Sequence, residues 1–316
     1  MDTDSQPLLI ITGQTATGKT KSALSLANTI GGEIVSADSR QSYTYLDIIS
    51  GKDIAEDNFK QVTRVGNFTI GYYTVQNIRI WLYDVVDPKQ YFSSYDWNMC
   101  AQKVLSILRK RKKIPIIVGG SYFYIKALID GLTSTSAPNW QLRGELETMS
   151  VYDLQKKLHE TQPAIYANMN SSDTYNKRRL IRKLEQTAIT DQRTIVQPLK
   201  GYRTQWVGLM HSTTNALQKA IEVRVDERMK QGALDEMSLL MNMGYTMSDP
   251  GMQSIGYQQL ASHISTDLSL NSALERWIMK ERQYAKRQKT AMLKDTRVHI
   301  FSPQEMNHDA LVGMLQ

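Results

Sequence analysis

Eight residues near the start of the chain carry the strongest chemical signal. Gly13-Gln14-Thr15-Ala16-Thr17-Gly18-Lys19-Thr20 fits the spacing G-x-x-x-x-G-K-[ST] at every fixed position. In a loop of this kind, backbone N–H groups and the positive end of a helix dipole face an anion. Gly13, Thr15, Ala16, Thr17 and Gly18 would form the cradle. Lys19 would reach a terminal phosphate, and the Thr20 hydroxyl would hold Mg²⁺. The flanks agree with that reading and argue against a chance match in a surface turn. Leu8-Leu9-Ile10-Ile11 reads as a buried parallel strand, and Ala23, Leu24, Leu26, Ala27 and Ile30 recur at helical spacing. The loop implies phosphate binding without saying whose phosphate.

The elements that must position this loop follow from the rest of the pattern. Further apolar runs at Glu33 to Ser36, Ile78 to Val86, Ile114 to Val118, Gln205 to Leu209 and Val298 to Phe301 read as strands. Helical patterns fall between them, notably Trp97 to Lys110. Alternating strands and helices imply an α/β fold with a mostly parallel, doubly wound sheet, whose ligands sit outside the carboxyl ends of the strands. Asp38 follows the second strand and Gly119-Gly120-Ser121 the fourth, so three strand ends offer polar groups to one crevice. Asp57 to Asn77 alternates as a hairpin would. Leu132 to Pro198 has no convincing strand and breaks near Ser134 to Pro138 and Gln162-Pro163; it reads as a helical insertion. The expected organisation is a core over 1–132, an inserted all-helical domain over 133–198, and the rest of the core over 199–316. Two long amphipathic helices are expected from Thr213 to Met243 and from Leu270 to Lys294.

With 316 residues, 41% hydrophobic and 22% charged, the chain has the composition of a soluble globular protein. No run of about 18 apolar residues marks a membrane span. Met1 to Pro7 is too short and polar for a signal peptide. The lone Cys100 excludes an internal disulfide and a cysteine-based zinc site, and is expected buried and reduced. These features fit the cytoplasm, and monomer is the default state. The net charge of +7 exceeds what a small-molecule phosphate enzyme needs, and an RNA or DNA partner would explain it. Arg109 to Lys113 closes a helix, where cations are favoured in any case. Arg178, Arg179, Arg182 and Lys183 share one side of a helix in the insertion. Arg276, Lys280, Arg282, Lys286, Arg287, Lys289 and Lys294 form a third cluster. Few acidic partners accompany the last two, which favours a nucleic-acid surface.

No Asn-Lys-x-Asp motif and no Asp-x-x-Gly after the third strand point to a nucleotide switch protein. Asp84 is a weak candidate for a metal-holding carboxylate there. On residue chemistry alone, an ATP-dependent small-molecule kinase or NTPase and a non-catalytic RNA-binding protein remain open.

Longer stretches carry a resemblance. Glu33-Ile34-Val35-Ser36-Ala37-Asp38-Ser39-Arg40-Gln41-Ser42-Tyr43, Asp87-Pro88 with Tyr91 and Ser93, Pro115 to Ser121 with Tyr124, Ile221-Glu222-Val223-Arg224, Met252 to Tyr257, and Tyr284-Ala285-Lys286-Arg287-Gln288 resemble, in order, the signatures of the tRNA dimethylallyltransferase family. The resemblance spans nearly the whole chain and implies a P-loop NTPase-like core. It also implies transfer of a dimethylallyl group from dimethylallyl diphosphate to N6 of the adenosine at position 37, beside the anticodon of tRNA. The loop would then hold a diphosphate leaving group and not ATP. Asp38 would be the base that takes the amine proton, with Ser121 and Arg224 as further catalytic residues. Ser39, Arg40, Gln41, Arg143, Arg178, Arg179, Arg182, Gly256, Tyr257, Arg282, Lys286 and Arg287 would contact the anticodon stem-loop. The chain departs from the family pattern in three places. It has no histidine pair before Ile80, has Ser121 where threonine is usual, and has Ala291-Met292 where an aromatic is expected after Thr290.

Overall fold

The computed structural model describes residues 5–52, 54, 58–131, 139–188, 196–305 and 312–313. Elements β1 (Gln6–Gly13), α1 (Lys19–Ile30), β2 (Gly32–Ser36), β3 (Lys60–Val65), β4 (Phe68–Val75), β5 (Ile78–Trp81), α2 (Ser94–Lys110), β6 (Ile114–Val118) and α3 (Tyr122–Ile129) make the first part of the core. After the insertion come β7 (Tyr202–Leu209), α9 (Thr214–Lys230), α10 (Ala233–Asn242), α11 (Tyr257–Ser265), α12 (Leu270–Met292) and β8 (Val298–Phe301). The eight strands form one sheet in the order β3-β4-β5-β2-β6-β1-β7-β8. From β5 to β8 all neighbours pair in parallel, and β3 and β4 form an antiparallel edge.

Strand β1 lies centrally, and its apolar run serves both faces because side chains alternate along a strand. Leu8 and Ile10 pack with Val35, Ile117 and Trp206 on one face. Leu9 and Ile11 pack on the other, with Ile34, Ile116 and the α1 residues Ala23, Leu24, Leu26 and Ala27. The doubly wound parallel sheet expected from sequence is therefore the architecture. The hairpin pattern after Asn58 also folds as a hairpin and extends the sheet beyond β5.

Two expected elements are shorter than their apolar patterns. The strand read from Ile78 to Val86 stops at Trp81, because Leu82 and Asp84 take left-handed backbone (φ 67° and 53°) that no strand accommodates. The helix read from Thr213 to Met243 breaks at Gln231-Gly232, where Gly232 at φ 99° starts α10. The expected Ser134 to Pro138 break lies outside the described residues, as do Asp57 and Leu132.

The chain divides into two compact units, one joining residues 1–129 and 199–316, the other Asp130–Pro198. The second unit holds α4 (Trp140–Glu147), α5 (Val151–Thr161), α6 (Pro163–Ala167), α7 (Ser171–Thr174) and α8 (Lys177–Ala188) around Leu146, Leu154, Leu158, Leu180, Ile181 and Leu184. Its basic residues are more structural than their clustering implied. The Glu185 carboxylate is fully buried. It accepts from Arg143 Nε and Nη2 at 2.8 and 2.5 Å, and from Arg182 Nη1 at 3.1 Å. Arg179 pairs with Asp173. Removing Arg143 would leave a buried carboxylate half compensated. Arg143→Ala should therefore destabilise this unit by about 3 kcal/mol, measured as a lower denaturation midpoint. An unchanged midpoint would mean that Glu185 does not depend on Arg143.

Candidate active site

Three strand ends converge at the carboxyl edge of the sheet. The Gly119 N–H donates to Ile11 O at 3.1 Å, Ala37 N–H to Val118 O at 2.7 Å, and Ser121 N–H to Ala37 O at 3.1 Å. A Cβ on Gly119 would lie 2.2 Å from Ala37 O, so the approach requires glycine. The phosphate loop follows β1, Asp38 follows β2, and Gly119 and Gly120 follow β6. They border a cleft of about 500 Å³ whose other wall is α9 and α12.

The loop is tied down from outside by α12 and the β7–α9 turn. Gln288 Oε1 accepts from Thr15 N–H at 2.8 Å, and its Nε2 donates to Gly120 O at 3.2 Å. Gln14 Oε1 accepts from His211 N–H at 3.0 Å, and the His211 Nε2 lies 3.0 Å from Ala16 O. Thr17 Oγ1 donates to Gln14 O at 2.8 Å. Gly18 at φ 73° caps α1, so the amides of the first helical turn stay open towards the cleft.

Among the described residues, the charged groups lining the cleft are Lys19, Lys21, Arg224 and Arg228 against Asp38 and Glu227. That excess of two positive charges among them suits a multivalent anion. Arg224 Nη1 donates to Thr15 Oγ1 at 2.7 Å, which places its guanidinium at the loop. Lys19 Nζ donates to Gln14 O at 2.6 Å and to Gly13 O at 3.3 Å. Burial first, then the Arg224 cation, push the Lys19 ammonium down to about 8, against the opposite pull of Asp38 and Glu281. Asp38 Oδ1 accepts from Arg40 N–H at 2.9 Å, which turns the chain while the carboxylate borders the cleft.

Of the two places that the resemblance allows the Ser121 hydroxyl, near the leaving group or near the base, the structure puts it beside the segment that carries Asp38. Its Oγ accepts from Ser39 N–H at 3.0 Å and is hydrogen-bonded with Tyr284. It fixes the segment that carries Asp38, as a positioning residue. Burial, with the Asp38 charge second, pushes the Tyr284 phenol up, so it stays protonated and donates to Gly120 O at 3.3 Å.

A family model described as IPP transferase matches residues 41–295. A tRNA dimethylallyltransferase of Geobacter metallireducens is 31% identical over 304 residues, covering 92% of this chain and 91% of that protein. A second, from Staphylococcus carnosus, is 32% identical over 302 residues, covering 91% and 89%. The solved structure of the full-length tRNA isopentenylpyrophosphate transferase from Bacillus halodurans aligns with a TM-score of 0.67 at 28% identity, over 98% of this chain and 97% of that one.

The chain belongs to the IPP transferase family.

As an IPP transferase it has the P-loop NTPase-like core of that fold, and its phosphate loop, Asp38 and Arg224 meet as the sequence suggests. The residues expected on the RNA side divide into groups. Gln41 lines the cleft, but both ends of its amide are engaged: Ser36 Oγ donates to Oε1 at 3.0 Å, and Nε2 donates to Gly51 O at 2.7 Å. Arg40 Nη1 donates to Pro250 O at 3.4 Å. Arg287 lies over the Tyr284 ring, with its Cζ 5.7 Å from the centroid. Arg282 and Lys286 instead line a second groove of about 910 Å³ with Lys289 and Lys294.

Gly256 and Tyr257 do not reach an RNA surface. Tyr257 is fully buried, and its hydroxyl donates to Glu236 Oε1 at 2.7 Å. Gly256 has φ 92°, and a Cβ there would lie 2.4 Å from Ile49 and 2.9 Å from Trp277. This signature is structural: Glu236 accepts the N–H groups of Asp47, Ile48 and Ile49 at 2.9, 2.6 and 3.2 Å, which fixes the loop after Asp38. Asp84 is structural as well. It takes Lys52 and Tyr73, burial pushes its carboxyl up, and it is not among the residues that line the cleft. Sequence reasoning assigned no role to Arg228, Gln288, Gln14 or His211. The spacing of Arg228 one helical turn after Arg224, and of Gln288 one turn after Tyr284, was the available signal.

Two outcomes are expected. Tyr257→Phe leaves a buried carboxylate short of one donor and should cost about 2 kcal/mol, seen as a lower thermal midpoint with RNA affinity of the folded protein unchanged. Weaker RNA binding at unchanged stability would return Tyr257 to the RNA surface. Anion binding at the loop should need Lys19 charged. Because its folded value is depressed to about 8, diphosphate affinity should fall as pH rises through 8, and Lys19→Arg should abolish that fall. Inorganic diphosphate titrated by calorimetry across pH 6.5–9.5 measures both.

Proposed function

We propose that this protein is a monomeric, cytoplasmic enzyme that transfers a dimethylallyl group from dimethylallyl diphosphate to N6 of adenosine 37 in tRNA, releasing diphosphate. The observation that carries the reading is one cleft in which a phosphate loop with Lys19 and Arg224 faces Asp38. Breaking the allylic C–O bond puts negative charge on the leaving diphosphate. Loop amides, Lys19 and Arg224 are positioned to stabilise that charge as it develops, and their surroundings are desolvated, which strengthens the effect. The adenine amine is a poor nucleophile because its lone pair is delocalised into the ring. Asp38 would take its proton as the C–N bond forms. Ser121, Ser39 and Tyr284 hold Asp38 at the cleft, and Arg228 with Gly51 and Gln41 closes the wall beside it.

The cleft's donors suit Mg²⁺. Thr20 presents a hydroxyl, no thiol or imidazole lines the cleft among the described residues, and a diphosphate with water would complete the oxygen ligands that this ion prefers. Held by Thr20, the ion would neutralise the leaving group. Arg178 and the cations of α12, including Arg282, Lys286 and Arg287, are exposed and would hold the anticodon stem-loop backbone.

The test is label transfer from radiolabelled dimethylallyl diphosphate, with Mg²⁺, to an anticodon stem-loop with adenosine at its 3′ neighbour position. Wild type should transfer, and Asp38→Ala should lose about 10²–10⁴-fold in rate while still binding diphosphate. ATP turnover without transfer would overturn the proposal.

A further inference from the structure

Tyr45 lies in the segment that follows Asp38, and the proposed reaction does not use it. It is 51% exposed, and its backbone is left-handed at φ 65°, a conformation natural to glycine and rare for a bulky side chain. The loop around it is fixed on both sides. Thr44 N–H donates to Val86 O at 2.9 Å, Lys52 Nζ donates to Tyr43 O at 2.7 Å, and Glu236 holds the amides of residues 47–49. The ring is thus presented to solvent by a rigid frame. Its neighbour is Tyr245, with ring centroids 6.3 Å apart and planes at 39°. The Lys89 ammonium lies 5.3 Å from the Tyr245 centroid, and the Tyr245 hydroxyl donates to Asp87 Oδ2 at 2.8 Å. An exposed ring backed by a buried ring and a cation matches what single-stranded RNA requires of a protein, a stacking face with a charge for the backbone.

The patch also lies at the right place. Ser42 Oγ donates to Asp38 O at 3.4 Å and Tyr43 N–H to Arg40 O at 3.3 Å, so the segment folds back on Asp38. Tyr45 follows two residues later, at most about 7 Å further along the chain. A base that leaves its stack to reach Asp38 strips one face from each base beside it. We propose that Tyr45 stacks on a base adjoining the reactive adenosine, with Tyr245 supporting the ring and Lys89 facing the adjacent phosphate. This inference rests on the proposed function and deepens it, by assigning the nucleotide beside the target to a specific side chain.

Tyr45→Gly isolates the ring, because glycine relieves the left-handed backbone and should leave the fold at least as stable as wild type. Its measurements are the thermal midpoint, KM for the stem-loop, KM for dimethylallyl diphosphate, and the fluorescence of stem-loops carrying 2-aminopurine on either side of the adenosine. The expected result is an unchanged or raised midpoint, KM for RNA raised about 10-fold, and KM for the diphosphate within twofold. Wild type should quench 2-aminopurine on one side of the adenosine, and the glycine variant should lose that quenching. Tyr45→Trp should restore both. Unchanged RNA KM and unchanged quenching in the glycine variant would overturn the inference while leaving the transferase reading intact. Quenching that depends on Tyr45, in a wild type that transfers nothing, would uphold the contact and sink the reaction.

Discussion

One buried amide connects the parts on which the site depends. Gln288 accepts the Thr15 N–H of the phosphate loop and donates to Gly120 O at the end of β6. It is 5% exposed, so both bonds form away from competing water. A loop after β1 and a turn after β6 come from strands that pair directly, and the sheet fixes their distance. It does not fix the orientation of their backbone groups. Gln288 does, and it brings α12 with it. The helix then presents Tyr284, one turn earlier, to Ser121 and Gly120. Ser121 in turn holds Ser39, next to Asp38. Asp38 and the phosphate loop are therefore parts of one hydrogen-bonded frame.

Electrostatics add a second constraint. Lys19 is desolvated, and the Arg224 cation beside it disfavours its charge further. Such an arrangement costs stability in the isolated protein and is relieved by a multivalent anion. In the proposed reaction, binding energy from the diphosphate would be concentrated at the loop, and the charge that appears on breaking the C–O bond would appear where the cations already stand.

The sheet, the phosphate loop and Asp38 were legible from sequence because their signals are local: a spacing, an alternation, a position after a strand. The contacts that were not legible have a common cause. A residue's type announces its chemistry but not its partner. Tyr257 looks like a stacking aromatic, yet Glu236 lies beside it once α10 and α11 pack. Arg143 and Arg182 look like phosphate ligands, yet each meets Glu185. Asp84 sits where a metal-holding carboxylate would, yet Lys52 and Tyr73 take it. Every one of these partners is distant in sequence or one helical turn away on an ambiguous face. The ends of β5 and α9 were missed for a simpler reason, since apolar patterns run on through Leu82 and Gly232 while the backbone changes hand.

The same long-range carboxylates explain how an irregular segment can serve as a precise wall. Residues 41–52 have no helix or strand to satisfy their backbone, and burying such a segment unpaired would be costly. Glu236 accepts three successive amides, Lys52 takes a carbonyl and two carboxylates, and Gln41 spans Ser36 and Gly51. Arg228 completes the set by donating to Ile48 O from the helix that carries Arg224. The segment is held as tightly as a secondary element without having the geometry of one. That rigidity is what allows Tyr45 to keep a backbone conformation it would otherwise leave. It also links the two ends of the cleft, because α9 touches the phosphate loop through Arg224 and the Asp38 segment through Arg228. A shift of that helix by a fraction of a turn would disturb both, so its packing sets how the phosphate loop and the Asp38 segment stand relative to each other.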